Sequence, residues 1–424
     1  MKRVAGFFTS DRPGYVVLAN MAAQVTSLLT APLIGRSLGP DGRGITSAVI
    51  AAFGLASVIL ALGIPQELRR RNAAAFDADS IRSSRDLACL AFVPAIAFAL
   101  LLSGTVFSGL PGRLKPLVFL CVTVVPLTVI WANDAAVLLA QGRYRAWAVL
   151  RLAQPLLAVL VLALAWSAGI MSVELVIILS PVGTALTVVL GLCFVRVPFS
   201  GGRAGRWALA KKGLTFSGGA IADAANNRLD QVLLLPLIGA SATGYYSVAA
   251  AVSVVPIALG QAVGAQELRN LARCSEPERS AVIGAAIRDG SSGSVAACFV
   301  LGVVGPPAVL LLFGSTFEGT IVPLLVMTFG AYAGSVAYVG SMLLIGQGKG
   351  LAMTIGQVAS AATGVALLFV LAPALGAIGA AVAASIGFVV QLAAVLVALR
   401  VGPRHLLPTF TSLGRVVATL TRRA

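Results

Sequence analysis

The sequence predicts an all-α polytopic membrane protein: about twelve transmembrane helices in two parallel six-helix lobes around a central cavity. Three observations carry that expectation. Hydrophobic residues make up 58% of the 424 positions and charged residues only 11%, against about a quarter charged in soluble domains, and the mean hydropathy is +0.96. Polar breaks divide the chain into twelve apolar stretches, each near the ~20 residues that a helix needs to cross ~30 Å of hydrocarbon. The second six stretches then repeat short motifs of the first six in the same order.

The first six stretches cover Gly14–Gly35, Gly44–Pro65, Leu87–Ser108, Pro116–Ala140, Val149–Ala168 and Val173–Val195. The second six cover Thr215–Gly239, Gly244–Ala265, Gly290–Phe313, Thr320–Ile345, Leu351–Ala372 and Gly376–Leu399. Lysine and arginine set the orientation. Of the 31 basic residues, 26 fall at the N-terminus, in the even-numbered loops or in the tail, against Arg36, Arg43, Arg113 and Lys115 on the other side. The positive-inside bias places both termini in the cytoplasm. A net charge of +16 distributed in this way points to anionic membrane lipids as partners and away from nucleic acid. Asp11 and Arg12 precede any apolar run, so the start does not read as a cleavable signal. Cys89, Cys121, Cys193, Cys274 and Cys298 are scattered, with no C-x-x-C pair, and read as free thiols.

Pro32-Leu33-Ile34-Gly35 recurs as Pro236-Leu237-Ile238-Gly239, Gln66-Glu67-Leu68-Arg69 as Gln266-Glu267-Leu268-Arg269, and Gln141-Gly142 as Gln347-Gly348. The implied pairing sets Gly35 on Gly239, and Pro236, matched by Pro32, is the expected hinge. Six helices per half is an even number, so the halves point the same way, with a substrate path between lobes. The lobes are then residues 1–204 and 205–400, joined through Pro198–Lys212, and residues 401–424 form a cytoplasmic tail. In that tail Leu406, Phe410, Leu413, Val417 and Leu420 recur at helical spacing among arginines, the pattern of an interfacial amphipathic helix. Ser275-Glu276-Pro277-Glu278 is a capping-box pattern ahead of the ninth stretch.

The seventh stretch holds the main candidate site. Asp223, Asn226, Asn227 and Asp230 fall at i, i+3, i+4 and i+7, a polar stripe on one helix, with Arg228 and Gln231 beside it. In hydrocarbon such side chains cost several kcal/mol unless they face one another or water, so the stripe reads as the wall of a transport path. The first stretch has a polar stripe of its own in Asn20, Gln24 and Ser27. Enzyme chemistry is disfavoured: the one histidine, His405, lies in the tail, and no P-loop is present. Extracytoplasmic loops are too short to present acid and base groups, so no cofactor or metal is expected.

Several segments resemble one family. Arg36-Ser-Leu-Gly-Pro-Asp-Gly-Arg-Gly44 resembles the R-x-L-G-P-x-G-x-G turn after the first helix of polysaccharide and lipid-linked oligosaccharide flippases. Asn227-Arg-Leu-Asp-Gln-Val-Leu-Leu234 with Gly244-Tyr-Tyr-Ser-Val248 is similar to their seventh helix and the entry to their eighth. Leu138-Leu-Ala-Gln-Gly-Arg-Tyr-Arg145 and Leu375-Gly-Ala-Ile-Gly-Ala-Ala381 are similar to their fourth-helix exit and twelfth-helix start. These flippases belong to the multidrug/oligosaccharidyl-lipid/polysaccharide exporter superfamily. The resemblance implies an inner-membrane transporter that flips a polyprenyl-pyrophosphate-linked glycan by alternating access, working beside the glycosyltransferases and polymerase of one pathway.

Under that expectation Arg228 meets the pyrophosphate through its planar fork of donors, and Asn226, Asn227, Gln231, Asn20 and Gln24 meet sugar hydroxyls. Asp230, Asp223 and Asp134 are the candidates for coupling to a monovalent cation or proton gradient. Competing readings stay open. Arg228 and Asp134 could be a buried structural pair, or Asp134 could be merely solvated at the cytoplasmic mouth. The protein could instead be a cation-coupled multidrug exporter, or a non-transporting scaffold of a glycan-assembly complex. The repeat at an offset of 204 aligns Gln24 with Arg228, whereas the Asp223/Asn227/Asp230 stripe faces elsewhere on the helix.

Overall fold

The computed structural model describes residues 14–271, 274, 278–409, 411–412 and 414–415. Among them there are thirteen α-helices and no strand. In chain order they are α1 (Gly14–Ala61), α2 (Ile64–Ala74), α3 (Ala78–Leu90), α4 (Phe92–Gly104), α5 (Lys115–Thr123), α6 (Val125–Ala140), α7 (Tyr144–Ser167) and α8 (Val173–Val195). There follow α9 (Arg206–Leu271), α10 (Arg279–Phe313), α11 (Ile321–Gly346), α12 (Gly350–Leu375) and α13 (Ala377–Leu399). Ten helical segments are long and apolar enough to cross a bilayer. Twelve were expected; the difference arises because α1 and α9 each run through two of the expected stretches, with a break at Gly39 (φ 66°, ψ −174°) and at Gly239 (φ 80°, ψ 177°). The capping-box residues 275–277 and most of the expected tail helix, including Phe410, Leu413, Val417 and Leu420, lie outside the described residues.

The helix surfaces are inverted relative to a soluble protein. Val93, Phe299, Leu311 and Phe329 are 72, 73, 73 and 81% exposed, which is stable only where the surroundings are apolar. Inside, small residues let helices close on one another: a side chain at Gly330 or Gly334 of α11 would meet Ser385 or Phe388 of α13, and Gly387 of α13 packs on the Ser360 backbone of α12. Gly379, Ala380, Ala383 and Gly387 are all buried on α13, so that stripe is a packing seam.

The chain divides into two compact units, one ending at Ala224 and the other beginning at Ala225. The first turns of α9 belong with the earlier helices: Leu209 is buried in one cluster with Leu68, Ile81, Leu138 and Leu150. Gly213 also lies so near Gly63 that a side chain at Gly63 would strike the Gly213 carbonyl. The corresponding core of the second unit is Ile287, Val336, Leu343, Val395 and Leu399.

The internal repeat is visible in the backbone. Left-handed or extended positive-φ positions recur as Gly39 and Gly239, Gly142 and Gly348 (φ 69° and 71°), Gly169 and Gly376 (69° and 60°), and Arg196 and Arg400 (49° and 58°). The Gln-Gly pairs end α6 and α11 with the same bonds: Arg143 N–H donates to Leu138 O at 2.9 Å, and Lys349 N–H to Leu344 O at 2.9 Å. Each is a helix C-cap that only glycine fits without strain. The expected pairing of Gly35 with Gly239 is corrected to Gly39. Gly35 is mid-helix, whereas the break needs a glycine in the positive-φ region. Pro32 and Pro236 likewise sit within helical turns, so the bends belong to the glycines. The halves also differ: Leu62 and Gly63 (φ 49° and 67°) end the first long helix, while α9 runs unbroken through the corresponding residues, and α3/α4 and α5/α6 are divided where α10 and α11 are continuous.

A second repeated device closes each unit on the arginine-rich side. Both α3 and α10 begin about three turns before their expected apolar stretches, and those turns carry Arg85-Asp86 and Arg288-Asp289. Arg85 donates to the Val197 carbonyl at 2.6 Å, Asp86 accepts from Arg203 at 2.6 Å, and Ser83 donates to the Ala204 carbonyl at 2.7 Å. In the second unit Asp289 accepts from Arg415 at 2.7 Å, Ser291 donates to the Leu406 carbonyl at 2.5 Å, and Arg288 lies 3.4 Å from His405. The stretch after the sixth helix of each half is thus strapped to the third. Arg85 also lies 3.6 Å from Asp134, with side chains only 4 and 1% exposed. Asp134 therefore already has a buried cation, which corrects the reading of it as a merely solvated acid.

Four outcomes follow for stability, each read by thermal unfolding of the detergent-solubilised protein. Gly39→Ala and Gly239→Ala each cost ~1–3 kcal/mol, because that backbone region is nearly closed to residues with a Cβ. Gly218→Ala, helical with open space around it, is neutral or slightly stabilising. Asp134→Ala costs ~3–5 kcal/mol by leaving Arg85 buried without its acid, and joint replacement by Asp134→Leu and Arg85→Met recovers most of the loss. Glu67 on α2 is held at a pKa of about 2, below its usual 4.5, by hydrogen bonds first from Arg70 and then from Arg71. Its contribution is complete above pH 4.5 and lost as pH falls toward 2, so Glu67→Gln flattens the acid limb of the stability profile.

Candidate functional site

Helical φ/ψ continue from Arg206 to the break at Gly239, and the polar residues of the stripe all fall in this helical stretch. Asp223, Asn227 and Arg228 are exposed, and Asn226, Asp230 and Gln231 are half-buried. Ala222, Ala224, Val232 and Leu234 are buried. Leu234, one turn beyond Asp230, lies on the stripe's own side of the helix, so exposed polar and buried apolar side chains alternate around it. Leu229 and Leu233 are half-buried.

In the second unit the chain turns back after Gly239, and that reversal brings Tyr246 to Asp230. The buried Tyr246 hydroxyl donates to Asp230 Oδ2, while Gln231 N–H donates to Oδ1 at 2.7 Å. Both carboxylate oxygens are held, and a carboxylate in a poorly solvating place needs such donors. One turn earlier, Asn226 Oδ1 accepts from the buried Ser360 hydroxyl of α12 at 3.2 Å. Asn226 and Asp230 are thus held by side chains of the second unit, where Asn227 and Arg228 are exposed.

In the first unit Asn20 does not stand alone. Its Oδ1 accepts from Arg151 Nε at 3.3 Å, and Arg151 lies two turns inside α7. Gln24, one turn on, is exposed among Met21, Val25 and Leu28. With the repeat anchored at Gly39 and Gly239, Gln24 corresponds to Ala224 and not to Arg228. The two polar stripes are thus not copies of one another.

Sequence reasoning missed Tyr246, Ser360, Arg85 and Arg151. Tyr246 stands inside a quoted motif, and its role could have been sought by asking which hydroxyl follows the turn at the right distance to reach Asp230. Arg151 was recoverable from the helical period, since Arg151 and Gln154 share a face of α7. The other two depend on helices distant in sequence.

The model of the polysaccharide biosynthesis protein family matches residues 13–261, more than half of the chain. No curated relative matches it by sequence. Among solved structures, the lipid II flippase MurJ in an inward closed conformation superposes with a TM-score of 0.74 at 13% identity, covering 96% of this chain and 92% of that one. A multidrug resistance MATE family transporter of the MOP superfamily, inward-facing, gives 0.70 at 13% identity, covering 95% and 96%. An outward-facing MATE transporter gives 0.54 at 15% identity, covering 90% and 92%. The ten apolar helices, the repeated backbone and the family match agree: this chain has the make-up of a multi-pass membrane protein and belongs to the polysaccharide biosynthesis protein family.

Proposed function

We propose that this transporter carries a polyprenyl-pyrophosphate-linked oligosaccharide from the inner to the outer leaflet by alternating access, for cell-surface polysaccharide assembly. The observation that carries the reading is the set of accessible polar side chains on α9: one guanidinium with amides and carboxylates nearby in the chain, within an apolar helix. A pyrophosphate is strongly excluded from hydrocarbon and pairs bidentately with a guanidinium, and glycan hydroxyls exchange water for amide partners. The polyprenyl chain needs no site, since it stays in lipid. The family is one of polysaccharide biosynthesis, and the fold is shared with a lipid II flippase.

In this reading α1 and α9 each cross the membrane twice, giving twelve crossings. Their 48 and 66 residues correspond to ~72 and ~99 Å of helix, more than twice the hydrocarbon thickness. Both termini face the cytoplasm, and glycosyltransferases and a polymerase act on the glycan before and after it. Asp230, with Asp223 about 10 Å away along the helix, couples transport to a cation or proton, and Tyr246 must release one oxygen of Asp230 for that to happen. The exposed Asp223 favours one second reading, a cation-coupled multidrug exporter, in which Asp223 meets an organic cation.

Export of surface polysaccharide in a strain lacking the wild-type gene decides between them. Arg228→Ala lowers export ~10–100-fold, the worth of one charge-assisted bond to phosphate, with the melting temperature unchanged. Arg228→Lys recovers only part, since an ammonium lacks the fork. Asp230→Asn spares lipid-glycan binding but uncouples transport from the ion gradient. Normal export by Arg228→Ala ends the phosphate role, and efflux of a cationic dye that depends on Asp223 moves the assignment to the drug exporter.

A further inference from the structure

We propose that the cleft where residues 196–207 lie across α3 holds the headgroup phosphate of an anionic phospholipid from the leaflet on the arginine-rich side. The inference stands apart from the transport reading, because it concerns only the first unit and the lipid around it. The cleft has a volume of about 430 Å³ and is lined by Asp86, Cys89, Leu90, Arg203 and Arg206. Its charges do not cancel. Arg203 Nε takes Asp86 Oδ2 at 2.6 Å and so satisfies the one acid in the lining. Arg206 stops 3.9 Å short of the same oxygen, outside hydrogen-bond range, with its side chain 52% exposed. One guanidinium is therefore left at the cleft with donors and no acceptor, which a phosphodiester supplies.

The surroundings fit a lipid better than a free anion. Trp207 next to Arg206 is 86% exposed, Phe199 66% and Leu90 57%. Exposed indole and phenyl rings beside arginine are what a chain presents at the boundary between headgroups and acyl chains. Phe199 is fixed in place by the Arg85 guanidinium, 5.2 Å from its ring centroid. The next basic residues along the chain are Lys211 and Lys212, and from Arg196 to Ala222 there is no acidic residue. Asp79, the other acid close by, is held by Arg82 at 2.7 Å. Arg206 thus supplies the cation, Trp207 and Leu90 the apolar walls, and the Asp86–Arg203 clasp the floor.

Cys89 reports on occupancy, because it lines the cleft and is exposed, while Cys193 is exposed outside its lining. The purified full-length protein in detergent is reacted with N-ethylmaleimide, and the labelling rates of the two thiols are compared by peptide mass spectrometry. Added phosphatidylglycerol slows Cys89 about fivefold relative to Cys193, the factor expected from one basic residue near an anionic surface. Phosphatidylcholine and soluble glycerol phosphate leave the ratio unchanged. Arg206→Gln abolishes the protection with an unaltered melting temperature, and Trp207→Ala weakens it. Equal slowing by phosphatidylcholine, or full protection retained in Arg206→Gln, overturns the proposal. Protection by glycerol phosphate alone reassigns the cleft to a free phosphate and overturns it equally.

Discussion

Hydrocarbon offers no partner to a backbone N–H or carbonyl, so a chain crossing it can stop being a helix only where each freed group is satisfied again. That constraint sorts this sequence. Its breaks fall on residues that tolerate positive φ: Gly39 and Gly239, Gly142 and Gly348, Gly169 and Gly376. Where Arg196 and Arg400 take that conformation instead, they cap α8 and α13 at the arginine-rich end, where water and side chains are at hand. The family's repeat is conserved here as a set of permitted stopping places more than as matching side chains.

The same scarcity of partners divides the charged residues into two kinds. Arg85 with Asp134, Arg151 with Asn20, and Asp230 with Tyr246 each place a charged group beside a partner inside its own unit. Such pairs hold helices in register and strongly resist removal of one member. Asp223, Asn227 and Arg228 also have partners, yet they keep accessible surface on a helix that could have been apolar throughout. Selection retains accessible polar groups in an apolar rod only where something polar comes to meet them. Asp230 belongs to both kinds: anchored through Tyr246, yet half-buried.

The Arg-Asp straps show how a repeat can be hidden. Arg85-Asp86 and Arg288-Asp289 recur in the sequence, but a dipeptide is too short to notice until its partners are seen. Those partners, Arg203 and Arg415, stand at different distances after the sixth and twelfth helices, so no fixed offset links them. The tetrapeptide Pro-Leu-Ile-Gly is the opposite case: conspicuous, and four residues out of register in its first copy. Identical letters weigh less than an identical backbone requirement.

By itself the sequence determined the fold class, the apolar stretches and the polar stripe of α9, because each depends on local hydropathy and helical period. The edges of α8 follow directly from the end of its apolar run. Tertiary structure alone decided which polar groups are spent on one another. Tyr246 reaches Asp230 only because the chain reverses at Gly239, and Arg85 reaches Asp134 only because α3 packs beside α6. Those pairings rest on where helices distant in sequence come to lie. A side chain's neighbours along the chain do not contain that information, since in a membrane any polar residue will take the first partner that packing provides.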